Sequence, residues 1–77
     1  MPMSKKRLIE QLVYSGFSQS DAEYAANNID VNWHEQALKQ GKEYLDMGIV
    51  NMDRLKEQLK YEGFTESEAD YALTNME

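Results

Sequence analysis

The feature that most constrains this chain is an internal repeat. When residues 3–30 are laid over residues 50–77, an offset of 47 positions, 13 of the 28 aligned pairs are identical and no gap is required. The identical pairs are Arg7/Arg54, Leu8/Leu55, Glu10/Glu57, Gln11/Gln58, Leu12/Leu59, Tyr14/Tyr61, Gly16/Gly63, Phe17/Phe64, Ser20/Ser67, Ala22/Ala69, Tyr24/Tyr71, Ala25/Ala72 and Asn28/Asn75. Self-similarity of this kind is typical of tandem structural units, each of which buries its apolar face against a neighbour.

Apolar spacing and capping residues predict helices along both copies. Leu8 and Leu12 recur on one helical face after Ser4, which is a favoured N-cap residue. Gly16 stands where a residue just past a helix end adopts a left-handed conformation. The predicted helices are a first over about 4–15, a second capped by Ser18, a third over about 33–46 capped by Asn32, a fourth after Asn51, and a fifth begun by the capping box Thr65-x-x-Glu68. The sequence therefore predicts an all-α fold of tandem helix-turn-helix or three-helix repeats, with five short helices and no sheet.

These helices fall into two predicted units. Residues 3–30 form a partial unit of two helices, residues 31–77 form a full unit of three, and together they are expected to make one compact domain. In the partial unit, Phe17 is expected to fold back as an apolar plug. Ile49 and Val50 are the only β-branched pair outside a predicted helix, and we expect no strand there. The inner face of the second helix is expected to consist of Ala22, Ala25, Ala26 and Ile29.

The chain lacks the residues that most enzymes and metal sites require. It has no cysteine and one histidine, His34, which is expected to be a solvated residue in the first turn of a helix. The sequence contains neither a twelve-residue calcium loop nor a glycine-rich phosphate loop. We therefore predict that the protein is not an enzyme, with no catalytic residue, no cofactor and no bound metal.

The charge pattern bears on the kind of partner. The formal net charge is −6 and the pI is near 4.6, which argues against nucleic acid, because phosphate binding requires a basic patch. No Lys or Arg occurs in residues 16–30 or 62–77, where a DNA-reading second helix would need them. The acidic helices each follow a more basic one. Two interpretations remain open: neighbouring helices neutralise each other, or an acidic face meets a basic protein partner.

The partner-binding candidates are the acids of the second and fifth helices, Glu62 just before the turn that precedes the fifth helix, and two recurring tyrosines. Tyrosine is a common interface anchor because it is apolar with a polar tip, although recurrence also fits simple packing at the helix margins. The candidates are Asp21, Glu23, Glu62, Glu66, Glu68, Asp70, Tyr24 and Tyr71.

Longer strings of the sequence resemble a known family. The strings that carry the resemblance are Leu-Ile-Glu-Gln-Leu-Val-Tyr-Ser-Gly-Phe-Ser at 8–18, Ala-Glu-Tyr-Ala at 22–25, Asn-Trp-x-x-Gln-Ala-Leu-Lys at 32–39, and Leu-Lys-Tyr-Glu-Gly-Phe-Thr at 59–65. They look like the repeat of the Ltp-type, host-cell-surface-exposed lipoprotein family, and the resemblance covers nearly the whole chain. It implies tandem three-helix repeats on the extracellular face of a Gram-positive host membrane, with attachment only through an N-terminal lipid anchor outside this sequence.

The same resemblance implies a function. Members of this family are associated with superinfection exclusion, in which a surface protein stops the DNA of an incoming phage from entering the cell. For this chain it implies a non-enzymatic binding domain whose partner is a basic phage tail or injection protein.

A second resemblance is to ubiquitin-associated domains, which share the Gly-Phe turn seen at Gly16-Phe17 and the alanines seen at Ala22 and Ala25. This is a likeness of fold. It leaves an alternative function open, that of a cytoplasmic protein-interaction module of the ubiquitin-associated or helix-turn-helix type.

Overall fold

The computed structural model describes residues 2–48 and 51–76, and helices account for most of them. Five helices follow one another, and no strand occurs within these two ranges. The helices are α1 (Lys5–Tyr14), α2 (Gln19–Asn28), α3 (Trp33–Asp46), α4 (Met52–Tyr61) and α5 (Glu66–Thr74). The predicted all-α class with five short helices is confirmed. Ile49 and Val50, for which the sequence predicts no strand, lie outside the described residues.

Each helix begins at a residue whose side chain accepts a hydrogen bond from the first turn. Such a bond satisfies a backbone N–H that has no partner inside the helix. The N-cap residues are Ser4, Ser18, Asn32, Asn51 and Thr65, all as predicted. The local sequence therefore determines where the helices start.

The core lies where α3, α4 and α5 meet. Its buried residues are Ala37, Leu55, Leu59, Phe64, Ala69 and Ala72. Small residues on α3 let that helix lie close to the other two. A Cβ added at Gly41 would stand 2.9 Å from Met76 Cε and 3.4 Å from Leu55 Cδ2. Burying a side chain such as Leu55 contributes about 1.5–3 kcal/mol, so this three-helix unit supplies most of the apolar stabilisation.

The residues of the α1–α2 hairpin are much less buried by other helices. α1 contains no buried residue, and α2 buries only Ala22 and Ala26. Phe17 is 47% exposed and Ile29 is 43% exposed. Within the described residues, α2 packs mainly on α1, whereas α5 packs on both α3 and α4. The predicted apolar plug at Phe17 is therefore wrong, and so is the inward position of Ile29, because no described helix lies over α2 as α3 lies over α5.

The two parts of the molecule meet at the start of α1 and the turn between α4 and α5. Ser4 is fully buried, and its Oγ donates a hydrogen bond of 2.8 Å to the backbone carbonyl of Glu62. Gly63 has a φ of +107°, and a Cβ there would stand 2.5 Å from Ser4 Oγ. This position requires glycine for both reasons. The contact sets the hairpin beside the three-helix unit in an elongated molecule of 37 × 20 × 18 Å.

Candidate binding surface

The start of α5 uses one of the predicted contact residues for its own stability. The backbone N–H of Glu68 donates to Thr65 Oγ1 at 3.1 Å, and the backbone N–H of Thr65 donates to Glu68 Oε1 at 3.0 Å. Glu68 is 9% exposed. These reciprocal bonds satisfy two N–H groups that the helix leaves unpaired. The carboxylate of Glu68 is thus held in the helix cap and offers little surface to a partner.

The acids on the outer side of α5 are paired with lysines of α4. Lys56 Nζ lies 2.9 Å from Asp70 Oδ1 and 3.5 Å from Glu66 Oε2. Lys60 Nζ lies 3.6 Å from Glu66 Oε1. The hydrogen bond to Asp70, aided by the charges of both acids and opposed by partial desolvation, raises the pKa of Lys56. Neighbouring helices therefore neutralise each other in this unit, as one of the two interpretations of the charge pattern proposes.

The corresponding part of the first unit has no such lysines. In register with Lys56 and Lys60 stand Ile9 and Val13. Glu23 Oε2 accepts a hydrogen bond of 2.8 Å from Gln19 Nε2, and no residue of the described ranges forms an ion pair with Glu23 or Asp21. The acids of α2 therefore differ from Glu66 and Asp70 of α5, which lie next to lysines.

An open groove runs along α1 beside the acids of α2. It has a volume of about 680 Å³ and is lined in part by Ile9, Val13, Tyr14 and Glu23. Tyr14 is 92% exposed. Lys5 and Lys6 line the same groove, so it combines apolar side chains with charges of both signs.

Glu62, another predicted contact residue, connects the two units. Its Oε1 lies 3.3 Å from Arg7 Nη2, and its Oε2 is 3.4 Å from Gln58 Nε2. Its backbone carbonyl accepts the hydrogen bond from Ser4. The charge of Glu62 is thus used within the molecule.

The two recurring tyrosines occupy different environments. Tyr71 donates a hydrogen bond of 3.0 Å from its hydroxyl to Glu35 Oε2, and its ring meets the ring of His34 edge-on at 5.4 Å. The hydrogen bond to the Glu35 carboxylate raises the pKa of Tyr71 above its ordinary value of 10.0. His34 Nε2 also lies 3.2 Å from Ser67 Oγ, so this histidine takes part in the packing of α3 on α5. Tyr24, by contrast, is 72% exposed.

Comparison with known proteins identifies the family. The model of the family described as host cell surface-exposed lipoprotein matches residues 1–29 and 32–76. The chain belongs to this family. Among curated proteins, no sequence matches the chain.

A solved structure agrees with this assignment. It is the structure of Ltp, a superinfection exclusion protein from the Streptococcus thermophilus temperate phage TP-J34. The chain described here is 37% identical to it, with a TM-score of 0.90, and the match covers 100% of this chain and 81% of that one. The predicted resemblance to the Ltp-type family is confirmed, as is the helical fold.

None of the helices within residues 2–48 and 51–76 is long and apolar enough to cross a membrane. The same two ranges contain no group of three or more His, Asp or Glu side chains able to hold a metal ion.

Sequence reasoning missed the apolar residues that the first unit exposes. Phe17, Tyr24 and Ile29 each align with a residue that packs on or near α3 in the second unit. This exposure depends on contacts between helices distant in the chain, which the spacing of apolar residues does not show.

Proposed function

We propose that this chain is the extracellular binding domain of a superinfection exclusion lipoprotein, which blocks phage DNA entry by binding a component of the phage injection machinery. The observation that carries the proposal is the likeness to Ltp, with a TM-score of 0.90 and 37% identity over the whole chain. That protein is a superinfection exclusion protein of a temperate phage. At this level of identity and structural similarity, the fold is shared.

The family supports a place on the cell surface. Its description is that of a host cell surface-exposed lipoprotein, and the phage of the related structure infects Streptococcus thermophilus. We propose that this domain likewise lies on the extracellular face of a Gram-positive host, attached by a lipid at the N-terminus of the full-length protein.

The charge distribution favours a basic protein as partner. The molecule carries a net charge of −6, and the acids of α5 are offset by Lys56 and Lys60. Asp21 and Glu23 on α2, next to exposed Tyr24, are among the acids that form no ion pair within the described residues. Complementary charge raises the association rate, which matters for a protein that must intercept an injection process before DNA transfer.

Infection of host cells that display the domain on a lipid anchor tests the proposal. Phage adsorption and DNA entry are scored separately, with cells carrying the anchor alone as reference. We expect normal adsorption with reduced DNA entry. Normal adsorption together with normal entry, across several phages, would overturn superinfection exclusion for this chain.

A pair of charge-reversed variants tests the basic partner. Asp21→Lys with Glu23→Lys changes the net charge by the same amount as Asp53→Lys with Glu57→Lys on exposed positions of α4. Rim charges act mainly on association, so we expect the first variant to restore DNA entry and the second to keep blocking it. Equal behaviour of the two variants would show that α2 has no special part in recognition.

A further inference from the structure

A pocket lies where the start of α1, the second half of α3 and the α4–α5 turn meet. Its volume is about 320 Å³, and its apolar wall includes Met3, Tyr44 and Phe64. Pockets for small molecules span about 300–1,000 Å³, so this one lies at the lower end of that range. It has room for a single long side chain or a small molecule, and not for a helix.

Gln40 of α3 lines this pocket and carries an unsatisfied acceptor. Gln40 is 5% exposed, and its Oε1 is buried without a hydrogen-bond partner among the described residues. A buried acceptor without a donor destabilises a fold. The last torsion of a glutamine side chain is broad, so the amide can turn its oxygen toward a donor that enters the pocket. A ligand with an N–H group would therefore satisfy an atom that the fold leaves without a partner.

The charges around the pocket favour a cation. Among the described residues that line it, Arg7 carries the only positive charge, and its Nη2 is already paired with Glu62 Oε1 at 3.3 Å. Glu43 also lines the pocket, and within the described residues no lysine or arginine lies at ion-pair distance from it. An unpaired carboxylate, an unsatisfied acceptor and apolar walls suit a side chain with an apolar stem and a head group that only donates. Lysine and arginine have both properties.

We propose that this pocket binds one lysine or arginine side chain of the basic phage partner, with Gln40 Oε1 and the Glu43 carboxylate accepting hydrogen bonds from its charged head group. The proposal rests on the proposed function, because the phage component supplies the side chain. It adds a defined site to the general attraction between an acidic domain and a basic protein. Arginine in particular is enriched among the few residues that dominate the energy of protein interfaces.

Titration of the ¹⁵N-labelled protein with small ions tests the pocket directly. The probes are n-butylammonium and ethylguanidinium, which reproduce the ends of lysine and arginine, and butyrate, an anion with as many carbons as n-butylammonium. We expect both cations to shift the side-chain amide signals of Gln40 and the backbone signal of Tyr44 in a saturable manner. Butyrate should shift neither. Butyrate binding as tightly as n-butylammonium would overturn the proposal.

Gln40→Met separates a binding role from a structural one. Methionine has a similar length and no amide, so the change should leave the free energy of unfolding equal or raise it, as measured by urea denaturation. The same change should weaken cation binding by about tenfold or more, and so should Glu43→Gln. Gln36→Met, one turn earlier on α3 and outside the pocket, should leave cation binding unchanged.

Wild-type cation affinity in Gln40→Met would show that this amide is not part of a binding site. Wild-type affinity in Glu43→Gln would show the same for the carboxylate. Either result overturns the proposal. If Gln40→Met does not fold, Glu43→Gln decides the question by itself.

Two further titrations test the other occupants of the pocket. Gln40 signals that shift with protein concentration, and not with n-butylammonium, would assign the pocket to a second copy of the chain. Cation binding by this domain but not by the full-length protein would assign it to a segment of that protein. Either outcome overturns binding of a partner side chain.

The infection assay separates this proposal from the proposed function. If anchored wild type blocks DNA entry and Gln40→Met does not, while Gln36→Met still blocks, the pocket is supported as the site of recognition. If Gln40→Met and Glu43→Gln block as well as wild type, superinfection exclusion stands and the pocket has no part in it. If wild type fails to block, the proposed function fails, and with it the phage origin of the side chain, whatever the titrations give.

Discussion

The hairpins α1–α2 and α4–α5 have similar sequences, but they differ in which residues are buried and which acids are paired with lysines. Both start at polar N-caps, both turn at a glycine with positive φ, and both place an alanine at the centre of the second helix, Ala22 or Ala69. The α4–α5 hairpin buries its phenylalanine and pairs its acids with lysines. The α1–α2 hairpin exposes its phenylalanine, and within the described residues its α2 acids form no ion pair.

The comparison shows that local sequence sets the shape of a hairpin, whereas a third helix decides which residues become core. Identical residues at Phe17 and Phe64 contribute differently because one is covered by α3. Substitution of Lys56 and Lys60 by Ile9 and Val13 in the first copy then removes the charges that would neutralise α2. The α4–α5 hairpin is thus part of the core with α3, and the α1–α2 hairpin exposes more of its apolar residues.

The largest expected effect is on the two phenylalanines. Truncation of a buried phenylalanine costs about 3–5 kcal/mol, whereas a half-exposed one loses far less burial, so Phe64→Ala should be severely destabilising and Phe17→Ala mild. Urea denaturation followed by circular dichroism measures both free energies of unfolding. If Phe64→Ala does not fold, Phe64→Leu and Phe17→Leu preserve the comparison.

Equal losses at the two positions would break the comparison. They would mean that Phe17 is covered in solution as fully as Phe64, which is 4% exposed.

The sequence predicted the helices and their starts with high accuracy because those depend on residues close together in the chain. The capping box of Thr65 and Glu68, the left-handed glycines and the 33–46 helix all follow from spacing within a few residues. The all-α class followed from the same signals. The boundaries of the two predicted repeat units remain predictions.

The role of each surface acid could not be predicted, because it depends on contacts between distant residues. Glu62 and Glu66 look alike in the sequence, yet one joins Arg7 of the other unit and one joins lysines of its own unit. Tyr71 meets Glu35, which lies 36 positions away. The exposure of Phe17 is a further case, because the identical residue Phe64 is buried in a core formed by helices distant in the chain.

The turn glycines give the second-largest effect. Gly16 and Gly63 both have positive φ, but a Cβ at Gly16 meets nothing within 4 Å, whereas one at Gly63 would meet Ser4 Oγ at 2.5 Å. Both alanine variants should lose about 1–2 kcal/mol from backbone strain. Gly63→Ala should lose about 1–3 kcal/mol more, because Ser4 must leave its buried site.

Parallel urea titrations of the two glycine variants measure this difference. If Gly16→Ala is as destabilised as Gly63→Ala, backbone conformation alone decides the cost. The junction of Ser4 with the α4–α5 turn would then contribute nothing to stability.

A smaller effect is expected at the tyrosines, with a defined pH dependence. The bond to Glu35 raises the pKa of Tyr71, so the neutral phenol is favoured in the folded state. Its contribution is complete below pH 10.0, the ordinary pKa, and is lost as pH rises through the raised value. Tyr71→Phe should therefore be slightly less stable than wild type at pH 7, with the difference shrinking above pH 10.

Thermal denaturation over a pH series follows this difference. Tyr24→Phe is the matched control and should equal wild type at pH 7, because Tyr24 is 72% exposed. A Tyr71→Phe variant as stable as wild type at pH 7 would show that the bond to Glu35 does not help hold α3 on α5.

The smallest effect concerns the ion pairs between α4 and α5, which have no counterpart between α1 and α2 in the described residues. Lys56→Met breaks the contacts with Asp70 and Glu66, which are exposed and screened, so stability should fall slightly. The loss should nearly vanish at about 1 M salt, where the screening length is about 3 Å. The reverse exchange, Ile9→Lys, sets a lysine in register with Lys56 and near Glu23. It should leave the fold intact but weaken phage exclusion, because it neutralises α2 as α5 is already neutralised. If cells carrying Ile9→Lys still exclude phage as well as wild type does, the lysines that the first hairpin lacks have no part in recognition. The two hairpins would then differ only in how far other helices bury their apolar residues.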